Sequence, residues 1–389
     1  MHPPHLGRLM AVAILVVTVS TQPVFLLGAA YLQMSDEFGY GPTGLGVLTA
    51  VFFLTASLSS TPLGRVVERI GWQRAMRINV VATMLITLTI ALAARDVAVL
   101  AGLLFVSGLV YGLANPSANQ ALADHVNPHR RGLMFGLKHA GIPSSTLVAG
   151  LAVPALVLTL GWRAAFASSL VLGIVVLLLI PSQPVPATAD RHRPDLRRYV
   201  PPLSRGLLSS LAAASSFATW AAIGLSTYLV AASVDVGLSE TQGGLLLFAG
   251  SGASILSRIA AGAVTDRVGG KGFGAMAVLM GGGAVVFAFL VAATGATFAV
   301  LVLAAFATGW AWPGLMTYTV VNANAGSAAS SSAITQAGVF VGAGVGPVVL
   351  GAIIDAWGFD AGWIAVTLAL VVASGGVSAV GRVATRAPS

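Results

Sequence analysis

Apolar positions run along this chain in blocks of about twenty or more, and polar positions collect in the short gaps between them. At roughly 20 residues per bilayer crossing, the blocks fall near 10–32, 43–63, 75–94, 98–120, 133–158, 163–181, 206–231, 240–263, 273–294, 297–320, 331–354 and 362–381. The pattern therefore predicts an all-α membrane protein with twelve transmembrane helices. Internal prolines such as Pro143 and Pro154 do not break the count, because neighbours re-satisfy freed backbone groups in membrane helices. The first block is of spanning length and lacks a small-residue cleavage site in a polar exit, so no cleavable signal is expected.

Two of the gaps carry the same pattern. Gly64-Arg-Val-Val-Glu68-Arg69-Ile-Gly71-Trp-Gln-Arg74 returns about 198 positions later as Gly262-Ala-Val-Thr-Asp266-Arg267-Val-Gly269-Gly-Lys271. Other matches recur at an offset of about 197: Tyr31 with Tyr228, Gly112 with Gly309, Asn115-Pro116 with Trp312-Pro313 and Ala140-Gly141 with Ala337-Gly338. The chain is thus a duplication of a six-helix unit. A Pro- and Arg-rich stretch separates the copies, which predicts an N-terminal half over 1–181, a cytoplasmic linker over 182–205 and a C-terminal half over 206–389.

The repeated loop resembles the signature G-x-x-x-D-R-x-G-R-R-K between helices 2 and 3 of the major facilitator superfamily, with Glu68 standing where that family usually has Asp. The resemblance implies two parallel six-helix repeats, a substrate site near the midplane between them, and rocking of one half on the other. It also implies that Gly64, Glu68, Arg69, Gly262, Asp266 and Arg267 form a gate, with the two acids accepting hydrogen bonds at helix N-termini of the opposite half. In the family, helices 3, 6, 9 and 12 are peripheral. Here those four hold almost only apolar and small residues.

Composition agrees with a membrane class: 57% of residues are apolar and 8% charged, far from the mix of a soluble domain. The net charge of +8 does not indicate nucleic acid, because the basic residues sit at the ends of spans. With the N-terminus cytoplasmic, the inner loops hold all basic residues outside the spans except Arg95 and Arg163, which predicts cytoplasmic termini and an inner-membrane location. No cysteine is present, and no P-loop, H-E-x-x-H or G-x-S-x-G occurs, so neither an enzyme nor a cofactor or metal is expected.

Polar residues inside the spans mark the candidate site: Gln22, Asn115, Asn119, Lys138, His139, Arg258, Trp312 and Gln336. Intramembrane charge is costly and usually functional. For Lys138 two readings stand, a cavity-facing ammonium or an anchor that snorkels to the interface. The spacing of Arg258 before Asp266 resembles an arginine of monocarboxylate-type facilitators that meets the substrate carboxylate; the rival is pairing with a local carboxylate or headgroup. His139 is either a proton carrier or a packing group. Tyr111, Asn115 and Asn119 recur every fourth residue and form one stripe. Each of these polar residues has packing as its alternative.

All twelve acids fall at helix ends or in loops, leaving Lys138 and Arg258 unmatched. The expected partner is a small anion, organic or cyanate-like, carried by a monomer in the lipid bilayer with proton coupling. Lys138-His-Ala-Gly-Ile-Pro is similar to the Lys-Gln-x-Gly stretch of the cyanate and nitroimidazole permease subgroup. Multidrug or metabolite efflux is the alternative within transport, and a non-transporting sensor or scaffold the alternative of another class. The glycine run Gly338, Gly342, Gly346-Pro347 resembles an antiporter motif but lies in the eleventh span rather than the fifth, which favours close helix packing.

Overall fold

The computed structural model describes residues 4–123, 131–182, 203–268, 272–324 and 327–386. Nearly all of the predicted linker lies outside them, as do Arg130 and the loop residues Gly269 and Lys271. Among the described residues every regular element is helical. Ten apolar helical stretches follow one another: α1 (Gly7–Ala29), α2 (Pro42–Ile70), α3 (Trp72–Ala93), α4 (Val97–Leu122), α5 (Leu133–Leu160), α6 (Trp162–Leu179), α7 (Arg205–Asp235), α8 (Glu240–Arg267), α9 (Phe273–Leu290) and α10 (Gly295–Ala323). An eleventh, α11 (Ser330–Thr385), has 56 residues, or about 84 Å at 1.5 Å per residue. That is more than twice the hydrocarbon thickness, and the helix turns at Gly358, where φ is 80°. Its two arms are the eleventh and twelfth crossings.

Large apolar side chains stand on the outside of the bundle, among them Leu85 and Leu92 of α3, Leu178 of α6, Val278 and Phe289 of α9 and Leu368 of the second arm of α11. Such a surface is stable only against lipid. The predicted peripheral helices do carry lipid-type surface, while α1 and α7 are the most enclosed.

Because lipid tails are as apolar as the helices, association rests on close packing and inter-helix hydrogen bonds. The glycine stripe of α11 lies against α7: a Cβ on Gly338 would meet the Ala212 carbonyl oxygen and one on Gly342 the Ser216 oxygen at 2.1 Å. Ser216 also donates to the Gly338 carbonyl at 2.7 Å. Between the first six crossings and the later ones, Gly46 of α2 meets the Pro347 carbonyl and Gly150 of α5 meets Gly244 of α8. An edge clamp joins the α1–α2 turn to α6, where Arg163 donates to both oxygens of Glu37 at 2.9 and 2.6 Å. That guanidinium holds the Glu37 carboxyl below its ordinary pKa.

Three crossings are jointed. In α4 the helix pauses at Gly112–Leu113, in α5 at His139–Ala140 and in α10 over 309–312. Each joint begins at the residue four before a proline: Gly112 before Pro116, His139 before Pro143, Gly309 before Pro313. Proline has no N–H, so the carbonyl four residues earlier loses its intrahelical donor and must find another partner.

Gly342→Ala should push α7 and α11 apart and lower the melting temperature in detergent, by an overpacking penalty of about 1–3 kcal/mol. Gly252→Ala, whose Cβ would meet nothing within 4 Å, should leave it unchanged or slightly raised. Equal melting of the two variants would remove the glycine stripe from the packing argument.

Candidate functional site

The joints of α4, α5 and α10 meet the start of α11 around a cavity of about 630 Å³. Chain order places it in the half of the bundle nearer the signature loops. Close approach comes from paired glycines: a Cβ on Gly136 of α5 would stand 2.6 Å from the Arg258 carbonyl oxygen, and one on Gly314 of α10 would stand 3.0 Å from the Gly136 Cα. Only residues without side chains let α5, α8 and α10 come so close.

Seven of the eight sequence candidates line this cavity: Asn115, Asn119, Lys138, His139, Arg258, Trp312 and Gln336. The eighth, Gln22, does not. It is buried, and its Nε2 donates to the Ser145 carbonyl and hydroxyl at 3.2 Å each, tying α1 to α5.

The seven differ in what they leave free. Arg258 is 4% exposed, and three of its five N–H donors are engaged. Nη1 donates to the His139 carbonyl at 2.7 Å, Nη2 to the Trp310 carbonyl at 2.5 Å, and Nε to Ser254 Oγ at 3.3 Å. The His139 carbonyl is the one orphaned by Pro143, and the Trp310 carbonyl lies in the joint of α10. The guanidinium also stands 5.5 Å from the Trp310 ring centroid. Among the described residues no carboxylate pairs with Arg258. Backbone oxygen does, which is an accepted partner for intramembrane charge.

Lys138 ends the first segment of α5. Its ammonium lines the cavity and has no hydrogen-bond partner among the described residues, and no carboxylate lines the cavity. Beside it the His139 ring crosses to α10, with Nε2 2.9 Å from Thr317 Oγ1. Thr317 in turn donates to the Pro313 carbonyl at 3.2 Å, so its oxygen is available to accept from an imidazole N–H. Along α4, Asn115 donates to the Tyr111 hydroxyl at 2.8 Å, and Asn119 and Gln336 carry side-chain groups with no partner among the described residues. Apolar side chains complete the lining: Phe53, Met134, Phe135, Met316, Val339 and Phe340.

Sequence reasoning did not identify Thr317 or the Ser254 hydroxyl. Thr146 and Ser251, bonded at 2.6 Å between α5 and α8, were missed as well. The available signal was positional, since Pro143 marks the His139 carbonyl as an acceptor in need of a donor.

The two acids of the signature loops differ. Asp266 Oδ2 accepts from the Leu133 backbone N–H at 2.9 Å, at the N-terminal turn of α5, where a carboxylate complements the helix dipole. Glu68 and Arg69 are exposed, and Glu68 has no hydrogen-bond partner among the described residues. Arg267 is exposed, Gly262 buried, and Gly64 packs near the Pro116 ring. At the opposite end of the bundle a second acid plays a corresponding part. Asp355 of α11 accepts from the Thr43 N–H at 2.8 Å and from its hydroxyl, at the N-terminus of α2. Tyr228 of α7 donates there to the Pro42 and Pro347 carbonyls, both at 2.8 Å.

Comparison with known proteins agrees with this architecture. A bacterial homologue of the human lysosomal transporter Spinster, solved in an inward-facing, unoccupied conformation, superposes with a TM-score of 0.71 over 98% of both chains at 16% identity. Relatives by sequence include a "Probable anion transporter 5" of Arabidopsis thaliana, 24% identical over 39% of this chain and 35% of its own length. The "Uncharacterized transporter YybO" of Bacillus subtilis is 30% identical over 36% and 32%. A "Voltage-gated purine nucleotide uniporter SLC17A9" of Mus musculus is 27% identical over 35% and 31%. The matched stretch spans about a third of the length of each relative. The family model of the Major Facilitator Superfamily matches residues 12–347. A bundle of apolar, jointed crossings around a polar cavity, matched over most of its length by that model, belongs to the Major Facilitator Superfamily and is a multi-pass membrane transporter rather than an enzyme.

Proposed function

We propose that this transporter carries an anion by alternating access between the halves 1–181 and 206–389, in symport with a proton. One observation carries the reading: among the described residues, Lys138 lines the cavity without a hydrogen-bond partner and no carboxylate lines it. A buried charge left uncompensated is strongly unfavourable, whereas an arriving anion gains a charge-assisted hydrogen bond from it. A cationic ligand meets the opposite sign of charge at short range. Two of the relatives bear names that refer to anions or nucleotides, which supports the same class. The basic loops support cytoplasmic termini in an inner membrane, and the lipid-type surface around the bundle supports a monomer.

Coupling follows from the same arithmetic. Protonating His139 would put a third positive charge next to Lys138 and Arg258 in a medium where charges interact strongly. An anion in the cavity offsets that charge. Binding of the anion and of a proton are then mutually favourable, which is the condition for carrying both together. Asn115, Asn119, Gln336 and Trp312 orient the ligand in this reading.

The latches at the two ends must exchange during the cycle. The contact of Asp266 with the N-terminus of α5 holds the signature-loop end, and the contact of Asp355 with α2 holds the other. Glu68, with its extra methylene, makes no corresponding contact among the described residues.

Lys138→Ala should abolish saturable anion uptake into proteoliposomes while leaving the melting temperature near that of the wild type, and Lys138→Arg should not restore it, because a planar fork and a compact ammonium place charge differently. Wild-type uptake by Lys138→Ala would reduce the residue to an interface anchor. His139→Gln should lose uphill accumulation driven by a pH gradient yet keep anion exchange; retained accumulation would move coupling to another group. Asp266→Asn should lower turnover several-fold, the kinetic equivalent of about 1 kcal/mol from the helix dipole, with ligand affinity changed less than about twofold. Unchanged flux in that variant would separate Asp266 from gating.

A further inference from the structure

We infer that the transported ligand is an amphipathic organic monoanion, with one carboxylate-type head and an apolar, ring-bearing body. It is neither a triatomic ion such as cyanate nor a multiply charged nucleotide. The inference rests on the anion-transport reading above and narrows it on three observations.

The first is the number of available charges. Two cationic side chains line the cavity, but Arg258 is 4% exposed and committed to the His139 and Trp310 carbonyls and to Ser254. Those contacts use three of its five N–H groups and fix the guanidinium against two carbonyls that have lost their helical partners. Among the described residues, Lys138 is the cationic side chain of the lining that makes no hydrogen bond. One contacting ammonium compensates one negative charge, and a second anionic group would enter a largely apolar chamber without a partner of its own.

The second is size. The cavity of about 630 Å³ falls within the roughly 300–1,000 Å³ of sites that enclose drug-sized molecules. A triatomic anion fills only a small fraction of it. Even at the best binding efficiency per atom, such an ion would reach only about the millimolar range.

The third is the distribution of polarity. Lys138, the amide stripe of Asn115 and Asn119, and Gln336 supply polar groups. Phe53, Phe135, Trp310, Trp312 and Phe340, with Met134 and Met316, make a wall of rings and thioethers. Rings offer a face to stack on and methionine adapts to irregular shapes. A ligand that combines a charged head with a flat apolar body matches both kinds of lining. The Trp312 indole N–H is also sealed from solvent without a partner, so a ligand acceptor that draws the ring round would satisfy it.

The test uses the full-length protein in detergent, with tryptophan fluorescence and melting temperature as readouts. Phenylacetate, phthalate, cyanate and adenosine monophosphate are titrated separately, and phenylacetamide serves as the neutral analogue. Phenylacetate should bind saturably and at least about tenfold more tightly than the other three anions. Lys138→Met should weaken phenylacetate at least about tenfold and leave any binding of phenylacetamide unchanged or improved. Cyanate, phthalate or adenosine monophosphate binding as tightly as phenylacetate would overturn the inference while leaving anion transport standing. No response to any anion, together with saturable binding of a lipophilic cation, would overturn the anion reading itself. If Lys138→Met fails to fold, the wild-type ranking alone decides.

Discussion

A carbonyl oxygen inside a membrane helix cannot be left without a donor, because no water stands by to supply one. Pro143 removes the donor for the His139 carbonyl, and the joint of α10 exposes that of Trp310. The Arg258 guanidinium takes both. This one interaction joins α5, α8 and α10 at the level of the cavity and sets what surrounds it. Lys138 is the last residue of the segment before the joint, so its ammonium emerges where the helix is broken. The His139 ring, freed from regular helical geometry, reaches Thr317. The arginine is therefore a structural neighbour of the site and a source of positive potential, and the lysine is the group left to meet a ligand.

Charge is sorted along the bundle axis. The described acids stand at helix ends, where Asp266 and Asp355 meet N-terminal N–H groups of α5 and α2, while the charged side chains among the described residues of the cavity lining are Lys138 and Arg258. The glycine contacts of α2 with α11 and of α5 with α8 lie on the same seams. Small residues allow backbones to touch without interlocking side chains, which suits surfaces that must slide or rock. Carboxylate caps on exposed helix ends are each worth only about a kcal/mol. Latches of that strength hold a conformation without trapping it.

The crossings were legible because apolar run length is dictated by bilayer thickness, and the last two were legible as separate spans although the helix runs on through Gly358. The lining positions of Asn115, Asn119, Lys138, His139, Trp312 and Gln336 were also legible, since a polar residue in a lipid-type helix has few places to go. Partner identity was not. Gln22 satisfies the same rule as Asn115 yet is committed to Ser145, and Arg258 was read as facing a ligand or an acid when its partners are carbonyls. Backbone oxygen does not appear as a residue type in a sequence. The spacing from Pro143 back to His139 was the available trace of it. Glu68 shows the converse, where a motif position matched by type makes no corresponding contact among the described residues.

The duplication sharpens what the cavity can recognise. At the offset of about 197, the prolines of α4 and α10 are equivalent, so both copies supply a joint to the cavity wall. The residues equivalent to Lys138 and His139, however, are Thr335 and Gln336, both of which line the cavity. Two related scaffolds thus face each other with their ionisable side chains at these positions on one side only. A symmetric dianion would find an ammonium at one end and a hydroxyl and amide at the other. A ligand with one charged end finds each end suited to a different wall. The same asymmetry ties the charged head to the segment that Asp266 latches, because the helix it caps at Leu133 carries Lys138 at its other end.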